Sequence, residues 1–334
     1  MSALRVAVIG GGRSPEHEVS LASAAAVAAG LDPERYSVTA LTIDFEGRWC
    51  EAGAGPLTSA AGQEIGLPRA IDLLSAVDLV FPMVHGRLGE DGALAALCEL
   101  VGTPYVGSGI GAGAIGIDKR MTKLLAGAAG IPTAPGVLLD RGTAHAYRFR
   151  GPVVVKPVSA GSSVGVGLVA DAAALPAAID AALGVDDHVL VEERMLGREI
   201  DVAVLRRASG SLLVSPPLEI VTDGVFDQRA KYGGAADFRV PATLTREERE
   251  ELEAAAVRMY DALDCSGVAR IDFFLTEMGL VLNEVNTTPG FTEHSQVPRM
   301  FAAAGIRYSA LLDLLVDAAL ATRGGHLRLQ TSGR

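Results

Sequence analysis

Two hydrophobic rhythms alternate along the chain, and their order lays out its elements. Unbroken apolar runs predict strands buried on both faces, while apolar positions recurring at helical spacing predict helices packed by one side. Residues 4–9, LRVAVI, lead into Gly10-Gly11-Gly12, which predicts a parallel strand feeding a phosphate-type turn, with a helix over 19–29. Residues 38–43 predict a second strand, 44–49 with Gly47 a hairpin extension, and the Ala/Gly-rich stretch 52–66 a surface loop. The apolar run 77–84 delivers His85-Gly86-Arg87-Leu88-Gly89-Glu90-Asp91-Gly92 at its carboxyl end, followed by a helix over 93–101 and a turn over 104–109. A second unit opens with Asp118-Lys119 and a helix, crosses a linker over 131–136, and reaches the strand 152–157, which closes on Lys156-Pro157. After the glycine- and serine-rich stretch 159–167 and an alanine-rich helix, 189–193 and 198–205 read as two strands of one antiparallel sheet. The polar segment 227–234 is long enough for a lid, or is an ordinary exposed loop. Thr245, with Glu247 and Glu248 behind it, starts an amphipathic helix ending near Leu263. A hairpin over 267–290, helices over 296–304 and 308–322, and a frayed tail over 324–334 complete the chain.

The pattern is α/β, α+β overall, with a parallel-sheet domain first and a further unit from Asp118. At 334 residues and 49% apolar content there is ample material for buried cores. A net charge of -11 disfavours nonspecific binding to nucleic acid or anionic membrane. Cys50, Cys98 and Cys265 are odd in number and far apart, which suits a reducing compartment, and no apolar run reaches membrane-spanning length. The chain reads as a cytoplasmic protein.

Candidate chemistry concentrates in the hairpin GVARIDFFLTEMGLVLNEVNTTPG. A three-residue loop at Glu277-Met278-Gly279 sets Asp272 opposite Glu284 and Arg270 opposite Asn286, all on one face. Facing carboxylates repel unless a cation sits between them, and two carboxylates with an amide oxygen suit magnesium that also takes phosphate oxygens. A solvated hairpin face is the alternative. Glu16-His17-Glu18 stands at the amino end of the first helix, where acidic groups either complement the helix dipole or bind an ammonium. His85 is either a hydrogen-bonded structural histidine or part of a site. Lys156 at the end of an apolar strand needs an anion, and the loop beyond it, with Ser162 and Ser163, is rich in groups that fold over phosphate. Neither a dinucleotide fingerprint, which Pro15 breaks, nor a Walker loop is present.

Taken in order, Glu16-His17-Glu18-Val19-Ser20, His85-Gly86-Arg87, Gly89-Glu90-Asp91-Gly92, Asp118-Lys119, Lys156-Pro157, Gly161-Ser162-Ser163-Val164-Gly165, Ala230-Lys231-Tyr232, Arg270-Ile271-Asp272, Asn283-Glu284-Val285-Asn286-Thr287-Thr288-Pro289-Gly290 and His294-Ser295 resemble the D-alanine:D-alanine ligases of the ATP-grasp superfamily over nearly the whole length. The resemblance implies an ATP-grasp fold with ATP between two antiparallel sheets, divided into a Rossmann-like domain at 1–117, a central domain at 118–207 and a carboxy-terminal domain at 208–323, with a flexible tail at 324–334. It implies Lys119 and Lys156 at the α and β phosphates and Lys231 at the γ phosphate. By the same likeness Glu192 accepts from the adenine amino group, the backbone from Glu193 to Met195 reads the adenine edge, and Glu199 binds ribose. Asp272, Glu284 and Asn286 would hold two magnesium ions, with manganese as a substitute and a monovalent cation as a further requirement left open. Glu16 would pair with the ammonium of the first D-alanine, near His85, and Ser295 with the carboxylate of the second. Ser162 and Tyr232 would handle the ammonium proton of the second, while Arg270 and the Gly290 amide would meet the tetrahedral oxyanion.

The implied reaction forms D-alanyl-D-alanine for peptidoglycan through an acyl phosphate, in an enzyme of a family that is commonly dimeric. Two departures stand out. Ala160 occupies a place where some family members carry a glutamate tied to the hydroxyl network, and Gly233-Gly234-Ala235-Ala236 is less polar than the family pattern. Tyr232 favours an amino acid over a hydroxy acid as second substrate, with D-serine still open. The competing readings are another ATP-grasp carboxylate-amine ligase, opposed by Glu16, Tyr232 and Ser295, and a silent nucleotide-binding module, opposed by the intact lysines and carboxylates.

Overall fold

The computed structural model describes residues 3–52, 62–221 and 237–331, and three sheets carry the architecture. In the first, β1 (Leu4–Gly11) lies between β2 (Tyr36–Ile43) and β5 (Leu79–Pro82), parallel to both. β3 (Trp49–Ala52) and β4 (Gly62–Glu64) continue the sheet antiparallel beyond β2. The central place of β1 explains its unbroken apolar run, since Val6 and Val8 pack under α1 (His17–Gly30) while Ala7 and Ile9 face α2 (Gly66–Ala76) and α3 (Ala93–Val101). Gly11 ends β1 at φ +90°, and a Cβ there would lie 2.2 Å from the Ile43 carbonyl oxygen, so the turn into α1 admits only glycine.

After α4 (Ile110–Ile117) and α5 (Lys119–Ala128), whose first turn is capped by Asp118 accepting from the Met121 amide, the chain enters a second, antiparallel sheet. Its order is β6 (Gly136–Asp140), β9 (His188–Glu193), β7 (Val153–Pro157), β8 (Gly167–Val169), backed by α6 (Leu175–Leu183). The third sheet runs β13 (Asp237–Arg239), β12 (Leu218–Val221), β10 (Arg198–Arg206), β14 (Val268–Thr276), β15 (Gly279–Asn286), with β11 (Leu212–Val214) also on β10. One face is covered by α7 (Arg246–Ala262), which buries Leu252, Met259 and Tyr260 against Val202, Ile271 and Phe273. A reciprocal capping box between Thr245 and Glu248 starts α7, a device worth about 1 kcal/mol.

Ala203, Leu205 and Val268, on the other side of the third sheet, share one core with Val6, Val8 and Phe81 of the first. Phe291, α8 (Gln296–Ala303) and α9 (Tyr308–Thr331) supply the intervening side chains, so the two sheets are held as one frame.

The structure departs from the sequence reading in five places. Strands β9 and β10 belong to different sheets, because β10 pairs along its length with β14, and the 118–207 unit therefore gives its last strand to the carboxy-terminal sheet. The 52–66 loop contains β4, and the 131–136 linker runs into β6. The hairpin turns tightly, with Thr276 opposite Gly279. The facing pairs Arg270/Asn286 and Asp272/Glu284 are restored by a bulge that inserts Asn283, not by a third loop residue. Finally, α9 continues to Thr331, past Gly324-Gly325, because an established helix adds a hydrogen bond for each further residue.

Candidate active site

Beyond the bulge at Asn283 the carboxyl end of β15 pairs with β14, Glu284 facing Asp272 and Asn286 facing Arg270. There Arg270, buried, grips Asp272 with two parallel hydrogen bonds, Nε to Oδ1 at 2.7 Å and Nη2 to Oδ2 at 2.6 Å. Its Nη1 donates to Gln296 Oε1 at 2.6 Å, and Gln296 Nε2 donates to Asp201 Oδ2 at 2.7 Å. Asp201 lies opposite Asp272 in the β10/β14 ladder and comes within 3.4 Å of Arg270 Nε. Burial opposes the guanidinium charge, but Asp272 and Asp201 outweigh it and hold the Arg270 pKa far above its ordinary value. The repulsion inferred between Asp272 and Glu284 is thus relieved by an arginine already in place, and it does not by itself demand a metal. Glu284 stands 4.0 Å from Arg270 and 3.9 Å from Lys119 Nζ.

Two cavities open on either side of this wall. One, of about 360 Å³, lies between the second and third sheets and is lined by Lys119, Lys156, Ser163, Glu192, Glu193, Met195, Glu199 and Glu284. The anion that Lys156 needs is Glu192: Lys156 Nζ stands 2.6 Å from Glu192 Oε2 and 3.4 Å from Asn283 Oδ1. Lys123 takes the other oxygen, its Nζ 2.5 Å from Glu192 Oε1. Burial raises the Glu192 carboxyl pKa, but the two ammoniums prevail and set it below the ordinary carboxylate value. Both oxygens of Glu192, expected to await an adenine amino group, are therefore already engaged by lysines.

The second cavity, of about 640 Å³, lies between the first and third sheets and is lined by Glu16, His85, Glu90, Ser162, Arg270, Asn286, Gly290 and Ser295. Ser14 Oγ donates to the His85 carbonyl and accepts from the Glu16 amide, tying the two loops together. Ser162 donates a short hydrogen bond to Glu16 Oε1, bringing the serine loop down onto the first domain. Ser162 and Ser163 both sit at positive φ, and a Cβ on Gly161 would fall 2.4 Å from Glu16 Oε2. Lys119 Nζ donates to the Ala160 carbonyl at 2.7 Å, tying the serine loop to α5 through its backbone. His85 is buried, and burial lowers its pKa against the charge of Glu16. Its Nδ1–H donates to the Thr288 carbonyl at 2.8 Å, and Nε2 accepts from Ser23 at 3.3 Å. Those bonds make His85 a tie between the first domain and the hairpin exit. His17 is likewise buried, with Nδ1 2.7 Å from the Gly12 carbonyl oxygen, whereas Glu18 is exposed. Ser295 starts α8, its Oγ held by Thr292, and the Asn286 side-chain oxygen accepts from the Thr288 amide.

Comparisons with known proteins give the chain its family. A family profile described as "D-ala D-ala ligase N-terminus" matches residues 5–108, and one described as "D-ala D-ala ligase C-terminus" matches residues 125–317. A D-alanine--D-alanine ligase of Mycolicibacterium smegmatis is 42% identical over 97% of this chain and 97% of its own length. One of Rhodococcus jostii is 43% identical over 97% and 98%. The chain belongs to the D-alanine:D-alanine ligase family. Among solved structures, the D-alanine-D-alanine ligase of Coxiella burnetii superposes with a TM-score of 0.82 at 30% identity, covering 99% of this chain and 98% of that one. VanG D-Ala:D-Ser ligase of Enterococcus faecalis gives 0.84 at 34%, covering 95% and 100%. The ATP-grasp fold expected from the sequence is the fold observed.

In this member of the ligase family the expected site residues gather around the two cavities, except Lys231 and Tyr232, which lie with the rest of 227–234 outside the described residues. Asp272, which lines neither cavity, stands behind Arg270. No group of three or more His, Cys, Asp or Glu that could hold a metal is found among the described residues. Asp272, Glu284 and the Asn286 oxygen nonetheless fit a hard divalent ion that takes its other ligands from phosphate, because all are oxygen donors and Glu284 retains exposed surface. Sequence reasoning missed Lys123, Asp201 and Gln296 and assigned no role to Glu90. The available signals were a second lysine four residues after Lys119, a carboxylate in the middle of an apolar strand, and the residue following Ser295.

Proposed function

We propose that this chain is an ADP-forming ligase that joins two D-alanines to D-alanyl-D-alanine for peptidoglycan synthesis. One observation carries the reading: Lys119, Ala160 and Glu284 line both cavities, so a nucleotide in one and an amino acid in the other would meet at a shared wall. A phosphate chain entering there finds Lys119 and Lys156, beneath a serine loop closed by Glu16. Lys231 is proposed as a further phosphate contact. Two magnesium ions held by Asp272, Glu284 and Asn286, with manganese as a substitute, would neutralise phosphate charge as the first carboxylate approaches. Glu16 holds the ammonium of the first D-alanine, whose carboxylate oxygen bonds to the γ phosphorus as the bond to ADP breaks. The second D-alanine places its carboxylate at Ser295 and the positive end of α8. Once its ammonium has given up a proton through the Ser162 and Tyr232 network, its nitrogen attacks the acyl carbonyl, and Arg270 and the Gly290 amide meet the oxyanion. Phosphate then leaves. Because an acyl phosphate hydrolyses, the serine loop also serves to exclude water.

Glu192, the Glu193 to Met195 backbone and Glu199 would receive adenosine, with Glu192 accepting through lone pairs that the lysines leave open. A cytoplasmic location is supported by the free thiols Cys50, Cys98 and Cys265, and a homodimer by the habit of the family. Among the described residues no helix is long and apolar enough to cross a membrane. Phosphate release with ATP, magnesium and a panel of D-alanine, D-serine and D-lactate tests the proposal: D-alanine alone should yield dipeptide and phosphate. Faster turnover when D-serine is added would move the reading to a D-Ala:D-Ser ligase, and no turnover with any member would refute it.

A further inference from the structure

Lys119 and Lys123 stand four residues apart on α5 and so leave the same side of that helix. Lys119 reaches the wall between the cavities, but Lys123 lines neither of them. Its Nζ instead donates to the Ala134 carbonyl and to Glu192 Oε1, while Lys156 holds Glu192 Oε2 from the cavity side. Ala134, Glu192 and Lys156 all line the nucleotide cavity, so Lys123 braces its inner wall from behind. We propose that Lys123 is a positioning residue for nucleobase specificity: it pins Glu192 as an ionised, acceptor-only edge, which favours a purine bearing a donor at its 6-position. This rests on the reading of the cavity as the adenosine site.

The physical argument concerns orientation. An ionised carboxylate offers about four lone-pair sites and no donor, so held between two ammoniums it can accept from an amino group but offers nothing to a carbonyl oxygen. Without Lys123 the carboxylate keeps a single ammonium and is free to rotate onto Lys156, withdrawing the oxygen that faced the base. Substituting methionine preserves most of the stem's packing while removing that anchor.

Steady-state phosphate release would be measured for wild type, Lys123→Met and Lys123→Arg with ATP and with purine riboside triphosphate, which has no 6-substituent. Wild type should prefer ATP. Lys123→Met should raise the ATP KM about tenfold and leave the KM for the unsubstituted nucleotide, the D-alanine KM and kcat near wild type, collapsing the preference. Lys123→Arg should restore part of it. An equal rise for both nucleotides, or no change in either, would overturn the role of Lys123. A wild type that does not distinguish the two nucleotides would instead overturn the reading of Glu192 as the base contact, and the proposal with it. If Lys123→Met does not fold, Lys123→Arg alone decides, since its longer planar head should lower the ATP preference without abolishing it.

Discussion

Replacing Gly161 with alanine probes how the serine loop is coupled to the first substrate site. The new Cβ would stand 2.4 Å from Glu16 Oε2, 3.1 Å from its Cδ and 3.3 Å from Oε1. Gly161 is not among the residues at positive φ, so the substitution brings no backbone strain and its effect is the clash alone. Glu16 is the flexible end of the contact, and it escapes by swinging away, at the cost of its hydrogen bond from Ser162. A hydrogen bond to a charged group is worth about 1.5–3 kcal/mol, so kcat/KM for D-alanine at saturating ATP should fall roughly 10- to 100-fold. The melting temperature should barely move, because the clash lies at the edge of a cavity and not in a core. Phosphate release with D-alanine titrated at saturating ATP gives the ratio, and Ser162→Ala, which removes the same hydrogen bond together with the hydroxyl's part in the proton network, should show at least as large a loss. Wild-type turnover in Gly161→Ala would mean that the loop does not rest on Glu16 in the working enzyme.

Two further predictions draw on half-buried polar groups beside the larger cavity. Burial pushes the Glu90 carboxyl up to about 8, helped by the charges of Glu16 and Glu284 and opposed by the Gly86 amide and Lys119. Between the ordinary value of 4.5 and about 8 the folded chain keeps a proton that the unfolded chain releases, so stability falls as pH rises through that window. Glu90→Gln should therefore raise the ligand-free melting temperature more at pH 8 than at pH 5, and a difference independent of pH would contradict the assignment. Gln296→Leu removes the acceptor for Arg270 Nη1 and the donor to Asp201; kcat should drop at least about tenfold with the ATP KM unchanged, whereas a change confined to the ATP KM would exclude a role in aiming Arg270.

What was legible in the sequence followed from periodicity. The helix over 93–101 and the strand β1 announce themselves because one is bounded by Gly92 and Gly102 and the other is buried on both faces. The pairing of Asp272 with Glu284 was read correctly from the wrong geometry, since a bulge and a longer loop shift the register equally and alternation cannot tell them apart. Assigning β9 and β10 to one sheet failed for a related reason. Adjacent strands with a short polar link look like a hairpin, and only the long-range ladder from β10 to β14 shows that the chain crosses between sheets there. The lysines were visible, but their partners were not. Lys156 announced its need for an anion, yet that Glu192 supplies it and shares it with Lys123 depends on strand and helix packing. Asp201 carried a signal as a charge within IDVAVLR, and its meaning emerged only with Gln296 and Arg270 beside it.

The central claim is that a D-alanine carboxylate oxygen takes up the γ phosphoryl group where the two cavities meet, and that the same oxygen leaves with phosphate when the amine attacks. Turnover of D-alanine labelled with oxygen-18 in its carboxylate, followed by mass analysis of the released phosphate, tests this directly. One labelled oxygen in each phosphate is the predicted result; unlabelled phosphate formed alongside dipeptide would contradict the account.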